Sequence, residues 1–422
     1  MLVNLSNKNI LVGVTGSISI YKACELVRLF VKSGANVNVV MSQAATKFIS
    51  PLTFEALTRN KVLTKDSEDW SSSLNHVELP QSSDLFVIAP ITANSINKLA
   101  KGITDSIVLD CALAYDKTLV VAPAANTQMI KSHYTQGSLK MLRVNDVSIV
   151  EPQEKLLACG TSGTGALADV LEIYYKSAQA IFKDSFWSDR KVVVTGGGTI
   201  EAIDDIRFIS NHSSGKMANA LALALYLKGA DVCLVTTKPN KELPKEIYTL
   251  EVSSANEMLE YVVDCIRVAK KGKLNRASLN NPEAIKVIQK KPFLFMAAAV
   301  ADYRPKFAQS GKLKKDTLGD EWDLKLTKNP DILKTINKDG IITVGFKAEK
   351  DEKNALNNAK RALKEKNLDA ICLNILKEEN NFGSDKNQVT CITKDDIKEF
   401  GLLDKLELSF KILEYLKGLD NE

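Results

Sequence analysis

The chain has only three histidines, three tryptophans and no Cys-x-x-Cys pair in 422 residues. Its seven cysteines (Cys24, Cys111, Cys159, Cys233, Cys265, Cys372 and Cys391) are odd in number and widely spaced. That excludes a disulfide framework and a zinc site of ordinary ligand spacing, and it fits a reducing compartment. No apolar run reaches the roughly 18 residues of a membrane span, and Met1 to Lys8 is polar, without the apolar segment of a secretory signal. Charge of one sign is scarce too: the net +5 is the small difference between 56 basic and 51 acidic residues spread along the chain, which offers nucleic acid no basic face. The expectation is a soluble, cytoplasmic protein acting on small molecules, with neither nucleic-acid nor membrane partners. Two nucleotide signatures are also missing. There is no Gly-x4-Gly-Lys-Ser/Thr phosphate loop, and the first strand-to-helix turn reads Gly13-Val-Thr-Gly-Ser17, with Ser42 rather than an acid after the next strand. The second of these absences argues against NAD-linked oxidoreduction.

What is present is enough apolar sequence, 45% of residues, to fill two cores, and a length that calls for two domains of about 200 residues each. Short buried strands alternate with helical periodicity twice over. In the first half the strands are Asn9 to Val14, Val37 to Met41, Asp84 to Pro90 and Thr118 to Ala124; the spacing predicts a parallel sheet covered on both faces. The pattern restarts at Lys191 to Thr195 and continues through Asp231 to Thr237, Pro292 to Ala298, Ile341 to Phe346, Leu368 to Leu373 and Val389 to Thr393. The fold class expected is therefore α/β, two doubly wound sheets. Polar Lys183 to Arg190 between them reads as the join, and basic, Asn-rich Lys270 to Lys291 as an inserted surface loop.

Ligands of such sheets bind at the carboxyl ends of the strands. In the first half those ends carry Gly16 and Ser17, Ser42 to Thr46, Thr92, Ala93 and Asn94, and Ala124 to Asn126. Small, hydroxyl-bearing and amide-bearing residues at four successive ends describe a cradle for a polar, phosphorylated cofactor. In the second half the long loop from Thr195 to Met217 follows a buried strand and enters a buried helix. Its three consecutive glycines leave backbone N–H groups open to an anion, and Ser213 to Lys216 set hydroxyls and a cation at the helix start. Arg207 and Asn211 belong to the same loop. Further on come Ala298 to Arg304 with Asp302, the basic cluster Lys312-Leu-Lys-Lys315, Lys328-Asn-Pro-Asp331 and Val344-Gly-Phe-Lys347. A carboxylate at a strand end, a basic loop and an anion cradle are what nucleotidyl transfer needs.

The first half resembles the flavin-dependent cysteine decarboxylases through Gly16-Ser-Ile-Ser-Ile-Tyr-Lys22, Ala89-Pro-Ile-Thr-Ala-Asn-Ser-Ile-Asn-Lys-Leu-Ala-Lys-Gly102 and Pro123-Ala-Ala-Asn-Thr-Gln-Met129. The resemblance implies a flavodoxin-like domain over residues 1–183 that binds FMN with Gly16, Ser17, Ser42, Thr46, Thr92, Ala93 and Asn94 and assembles as trimers. It also implies His76, Asn126 and Cys159 as the residues acting on substrate. The cysteinyl unit would be oxidised to a thioaldehyde, lose carbon dioxide and be reduced again as an enethiol, with Cys159 as proton donor. This chain departs from the family pattern at Ala125, where Met is usual, at Ile130, where Trp is usual, and at Ala166-Leu167, where the flap usually reads Arg-Met.

The second half resembles phosphopantothenate–cysteine ligase, and the order of the halves matches the bifunctional bacterial enzymes of coenzyme A biosynthesis. The resemblance implies a linker over 184–190 and a Rossmann-like ligase domain over 191–422, assembled as dimers. It implies CTP and Mg²⁺, with Asp302 as the metal residue, Asn211 and Lys312 catalytic, and Arg207, Lys216, Ala298, Asp302, Asn329, Pro330, Asp331, Phe346 and Lys366 around substrate and nucleotide. The departures here are Ala202 for a usual Pro, Ala218 for a usual Gly and Ala362 for a usual Lys; Lys360 and Lys364 are the replacements at hand. The reaction implied is ligation of 4'-phosphopantothenate to cysteine through an acyl-cytidylate, then decarboxylation of 4'-phosphopantothenoylcysteine. The alternative is an active ligase whose flavin-binding first domain is weakly active or regulatory.

Overall fold

The computed structural model describes residues 1–156, 162–274, 287–314, 319 and 321–420. Cys159, Lys315 and the middle of the 270–291 insertion lie outside the described residues. The chain forms two compact units, one over 2–183 and one from Asp184 onward.

In the first unit, β1 (Asn9–Val14), β2 (Asn36–Met41), β3 (Leu85–Ile91), β4 (Leu119–Pro123) and β5 (Ser148–Ile149) form one sheet in the order β2-β1-β3-β4-β5. All four pairings are parallel. This is the flavodoxin-like order, whose direction reverses between β1 and β3 and so opens a crevice above that pair. The strands are continuously apolar because helices cover both faces; every residue of β3 is buried. A two-stranded hairpin, β6 (Gln153–Leu156) and β7 (Ser162–Ala166), stands outside the sheet.

In the second unit, β8 (Lys191–Gly196) lies at the centre of the larger sheet, and the hairpin β9 (Ile200–Ala202) and β10 (Phe208–Ser210) stands in the loop after it. The further sheet strands are β11 (Asp231–Thr236) and β12 (Tyr248–Glu251). Two short antiparallel pairs follow: β13 (Lys273–Leu274) with β14 (Val287–Ile288), and, beyond β15 (Phe293–Met296), β16 (Tyr303–Pro305) with β17 (Leu326–Lys328). The sheet is completed by β18 (Ile342–Glu349), β19 (Ala370–Ile375), β20 (Lys386–Thr393) and β21 (Ile397–Asp404), in the order β12-β11-β8-β15-β18-β19-β20-β21. The order reverses between β8 and β15, so a second crevice opens there.

Two sequence expectations need correction. The second sheet is not parallel throughout: β20 and β21 pair antiparallel at its edge. β21 escaped the sequence pattern because only Phe400 in it is buried, as an edge strand with one covered face and a glycine in the middle allows. Residues 184–190, read as a polar linker, are part of the second core. Trp187 is fully buried against Phe293 and Phe295, and Arg190 is 3% exposed. The guanidinium of Arg190 pairs with Asp420 at 2.5 Å, donates to the Lys291 carbonyl at 2.6 Å and lies 4.1 Å from the Phe186 ring centre.

Local sequence explains the helices that frame the second crevice. Lys216–Leu227 is rich in alanine and leucine and is buried from Ala218 to Leu227, because the sheet lies on one side and the helix Lys405–Leu416 on the other. Ala255–Ala269 is amphipathic, with Met258, Val262 and Ile266 inward and a reciprocal Ser254–Glu257 cap at its start. Each such buried aliphatic side chain contributes about 1.5–3 kcal/mol.

Candidate functional site

The first crevice is a cleft of about 940 Å³, within the about 300–1,000 Å³ of ordinary ligand sites. Gly16 and Ser17 after β1, Ser42 after β2, Thr92 to Asn94 after β3 and Ala124 to Asn126 after β4 all line it. Thr15, 1% exposed, joins the two switch-point loops: its hydroxyl donates to the Pro90 carbonyl at 2.9 Å and accepts from the Thr92 amide at 2.9 Å. A Cβ on Gly16 would stand 2.6 Å from Ala44 Cβ, so only glycine lets the loops after β1 and β2 approach this closely. Loop ends rich in hydroxyls and backbone amides, with Lys22, Lys98 and Lys155 also on the lining, fit a phosphorylated group. Thr46 is not on that lining; its hydroxyl donates to the Gln43 carbonyl.

The hairpin β6–β7 flanks Cys159 in sequence and lays its second strand across the loop of Asn126. The Ala125 amide donates to the Gly165 carbonyl at 3.0 Å, and a Cβ on Gly165 would meet the Ala125 oxygen at 2.1 Å. Gly165→Val therefore forces the hairpin off this loop. The decarboxylation that the first-half motifs imply is expected to fall about 10²-fold from misplacement alone, with the ligation implied for the second half unchanged, as measured by carbon dioxide and pyrophosphate release from the same protein. Asn126 caps the helix Thr127–Lys131, its side-chain oxygen accepting from the Gln128 amide at 2.9 Å, and it faces the cleft as well. His76 is not on the lining. Its Nδ1 lies 2.6 Å from Glu68 Oε1, and its ring packs edge-on against Trp70.

In the second crevice the loops after β8 and β15 are stitched together. The Ala299 amide donates to the Gly197 carbonyl at 2.8 Å, the Thr199 amide to Ala299 at 3.2 Å, and the Ala298 amide to Thr195 Oγ1 at 3.2 Å. Gly197 has φ +79°, and a Cβ there would meet Thr237 Oγ1 at 2.1 Å. A narrow cleft of about 170 Å³ results. Of the predicted residues, Lys216, Ala298 and Phe346 line it.

The other predicted residues are placed around that cleft rather than on it. Asn211 donates to the Val300 carbonyl at 3.1 Å. Arg207 is engaged by Asp204, at 3.0 Å through Nε and 2.5 Å through Nη2, and by the Leu313 carbonyl at 3.0 Å. Asp204 also accepts from the Leu313 amide, so the pair anchors the segment that carries exposed Lys312. The Arg207 guanidinium holds the Asp204 carboxyl well below the usual carboxylate range. This tie is at full strength above the ordinary aspartate value of about 3.9 and weakens only as pH falls through the depressed one. Asp302 is exposed, and its carbonyl accepts from Asn329, which is buried, receives Arg304 at 2.8 Å and donates to Ala301. Pro330 precedes Asp331, which caps the helix Ile332–Thr335 and pairs with Lys366 at 3.0 Å. Among the described residues no group of three or more His, Cys, Asp or Glu side chains could hold a metal. Asp302 would give a cation one carboxylate, the remaining oxygens coming from water or a bound nucleotide.

The sequence reading missed the loop between β19 and β20. Asn374, Asn380, Asn381, Phe382 and Gly383 line the second cleft, as does Lys405 at the start of the last helix. The run Asn380-Asn-Phe-Gly-Ser-Asp-Lys-Asn387 after a buried strand has loop composition, and its position at a strand end was the available signal. Lys405 had none.

Two doubly wound units, one with a cofactor-sized cleft at a flavodoxin-like switch point and one with a glycine-built anion loop at another, define a two-domain α/β protein with a ligand crevice in each half. Residues 2–182 match the family model Flavoprotein, and residues 187–272 and 275–419 match DNA/pantothenate metabolism flavoprotein C-terminal domain. The chain is 35% identical over 420 residues to the Coenzyme A biosynthesis bifunctional protein CoaBC of Vibrio parahaemolyticus, covering 98% of this chain and 99% of that one. It is 36% identical over 427 residues to the CoaBC protein of Bacillus subtilis, covering 99% and 98% respectively. A crystal structure of the C-terminal domain of a CoaBC protein aligns at a TM-score of 0.43 and 30% identity, covering 56% of this chain and 98% of that one. The chain belongs to the family of bifunctional coenzyme A biosynthesis proteins, a flavoprotein half followed by a pantothenate-metabolism half.

Proposed function

We propose that the chain carries out two consecutive steps of coenzyme A biosynthesis in the cytoplasm: CTP-dependent ligation of 4'-phosphopantothenate to cysteine, then FMN-dependent decarboxylation of 4'-phosphopantothenoylcysteine to 4'-phosphopantetheine. The observation that carries this reading is end-to-end similarity, at 35% identity over 98% of the chain, to bifunctional relatives. The two crevices at the carboxyl ends of their sheets agree with it.

In the second half, the amides of the β8 loop and the N-terminus of Lys216–Leu227 would receive the triphosphate. Lys216 would offset its charge, with Ala298 and Phe346 against the cytosine nucleotide. The carboxylate of phosphopantothenate attacks the α-phosphorus and pyrophosphate leaves; the amine of cysteine then displaces CMP. Lys312, held out on the segment that Asp204 and Arg207 anchor, would stabilise the charge that builds in the first step, and Asn211 the acyl-cytidylate. Asp302 would hold Mg²⁺, which would offset the charge of the phosphates.

In the first half, bound FMN would supply the two-electron oxidation and re-reduction of the cysteinyl carbon–sulfur unit. The chain's own residues would do the rest. Gly16 and Thr92 to Asn94 would hold the cofactor phosphate, Asn126 would orient the substrate carboxylate, and Cys159 would donate the proton. His76, oriented by Glu68, would polarise that carboxylate. Because His76 lies off the cleft of its own chain, homo-oligomers built from trimers of this domain and dimers of the ligase domain belong to the proposal.

The test is direct. The purified chain is expected to be yellow, to bleach with dithionite, and to release pyrophosphate from CTP only when phosphopantothenate and cysteine are both present. A colourless protein that takes up no FMN and ignores CTP would overturn the reading.

A further inference from the structure

The last helix of the chain begins with a lysine in an unfavourable place. Lys405 is 9% exposed and stands at the first position of Lys405–Leu416, where the helix dipole disfavours a cation. Lys216 adds like charge, and burial pushes the Lys405 ammonium below its usual value. Beside the neighbouring Asp404 carboxylate, what offsets these costs is one loop. Lys405 Nζ donates to the carbonyls of Ser384 and Lys386, and its own amide to that of Asp385 at 3.1 Å. From the other side, Lys216 Nζ donates to the Gly383 carbonyl at 2.7 Å and pairs with Asp385 at 2.6 Å. The loop is also tied internally: Asn380, 3% exposed, accepts from the Lys377 amide and donates to Asn374 and the Ile375 carbonyl. Its tip, Asn381 to Gly383, lines the second cleft together with Ala298, with Phe382 beside His212.

The two ammonium groups differ in kind. Lys216 is exposed and its partner Asp385 is more so, so an incoming phosphate can take Lys216 over at little cost. Lys405 is buried on carbonyl oxygens and has no such exchange open to it. We propose that Lys405 is a positioning residue of the ligase half: through the carbonyls of Ser384 and Lys386 it holds the 376–386 loop as the fixed wall of the nucleotide cleft, leaving Lys216 free to pass from Asp385 to the triphosphate. This rests on the reading of that cleft as the CTP site.

The test uses the full-length chain. Pyrophosphate release is measured against CTP concentration for wild type, Lys405→Met, Phe382→Ala and, as a control on the same helix away from the loop, Ile412→Val. Amide hydrogen exchange is followed over residues 376–386 in the same set. Expected for Lys405→Met are a KM for CTP at least tenfold higher, a kcat within threefold of wild type, and at least tenfold faster exchange in the loop; Ile412→Val changes none of these. Phe382→Ala raises the same KM without faster exchange, so the wall is read even where Lys405→Met fails to fold. Unchanged KM and exchange in Lys405→Met, or an unchanged KM in Phe382→Ala, would overturn the proposal. A wild-type chain that ignores CTP would instead remove the reading beneath it, while the exchange measurement still reports whether Lys405 holds the loop.

Discussion

Replacing Cys159 by serine is expected to lower formation of 4'-phosphopantetheine from 4'-phosphopantothenoylcysteine by about 10²–10⁴-fold, the range that a positioned proton donor contributes, and to leave CTP-dependent ligation at the wild-type rate. Serine keeps the size of the side chain but holds its proton far too tightly to give it up at neutral pH. The residue sits among Gly160, Gly163 and Gly165, and the strand that follows it crosses the Asn126 loop through the Ala125–Gly165 hydrogen bond. Both activities are measured on one preparation because the chain forms two compact units, to each of which the proposal assigns one activity. Wild-type formation of 4'-phosphopantetheine by the variant would remove Cys159 from the mechanism. A wild-type chain that itself forms no 4'-phosphopantetheine would instead favour the flavin-binding, weakly active first domain that Ala125, Ile130 and Ala166-Leu167 leave as the alternative.

The second large effect concerns stability. Trp187→Ala should destabilise the second unit by about 3–5 kcal/mol, the cost of emptying a buried tryptophan site, and lower its melting temperature by roughly 6–20 °C for a unit of this size. The indole is fully buried and packs on Phe186, Phe293 and Phe295. Beside it the Arg190–Asp420 pair joins the segment to the far end of the chain. Calorimetry should show the ligase transition moving while release of flavin from the first unit does not. A shift under about 1 kcal/mol, the scale of an ordinary surface substitution, would mean that residues 184–190 are the linker their polar composition suggested.

That segment shows where sequence reading stops. Lys183-Asp-Ser-Phe-Trp-Ser-Asp-Arg190 looks like a join because six of its eight residues are charged or hydroxyl-bearing and no period marks it. Yet two aromatics and one buried ion pair make it part of a core. The strands β1, β3, β8, β11 and β15 were legible for the opposite reason: continuous apolar runs bounded by glycine, serine or proline have one reading in an alternating pattern. The cleft residues at strand ends were legible on the same ground, since the topology sends every such end to one edge of its sheet.

The roles of individual polar side chains were not legible. Arg207 looked like a phosphate ligand and is occupied by Asp204; Lys366 looked like a nucleotide contact and is paired with Asp331. Lys405 was one lysine among many until its nitrogen was found on the carbonyls of a loop about twenty residues away.

The amino-acid order by itself determined the two-domain α/β architecture, the glycine-built turns and the family, because these follow from local periodicity, backbone permissiveness and contiguous motifs. Only the tertiary structure decided which charged groups are free and which are committed to partners, which strand end reaches which cleft, and that the last helix sends a cation back into the second one. A hydrogen bond depends on where two groups stand in space, and separation along the chain carries no record of it.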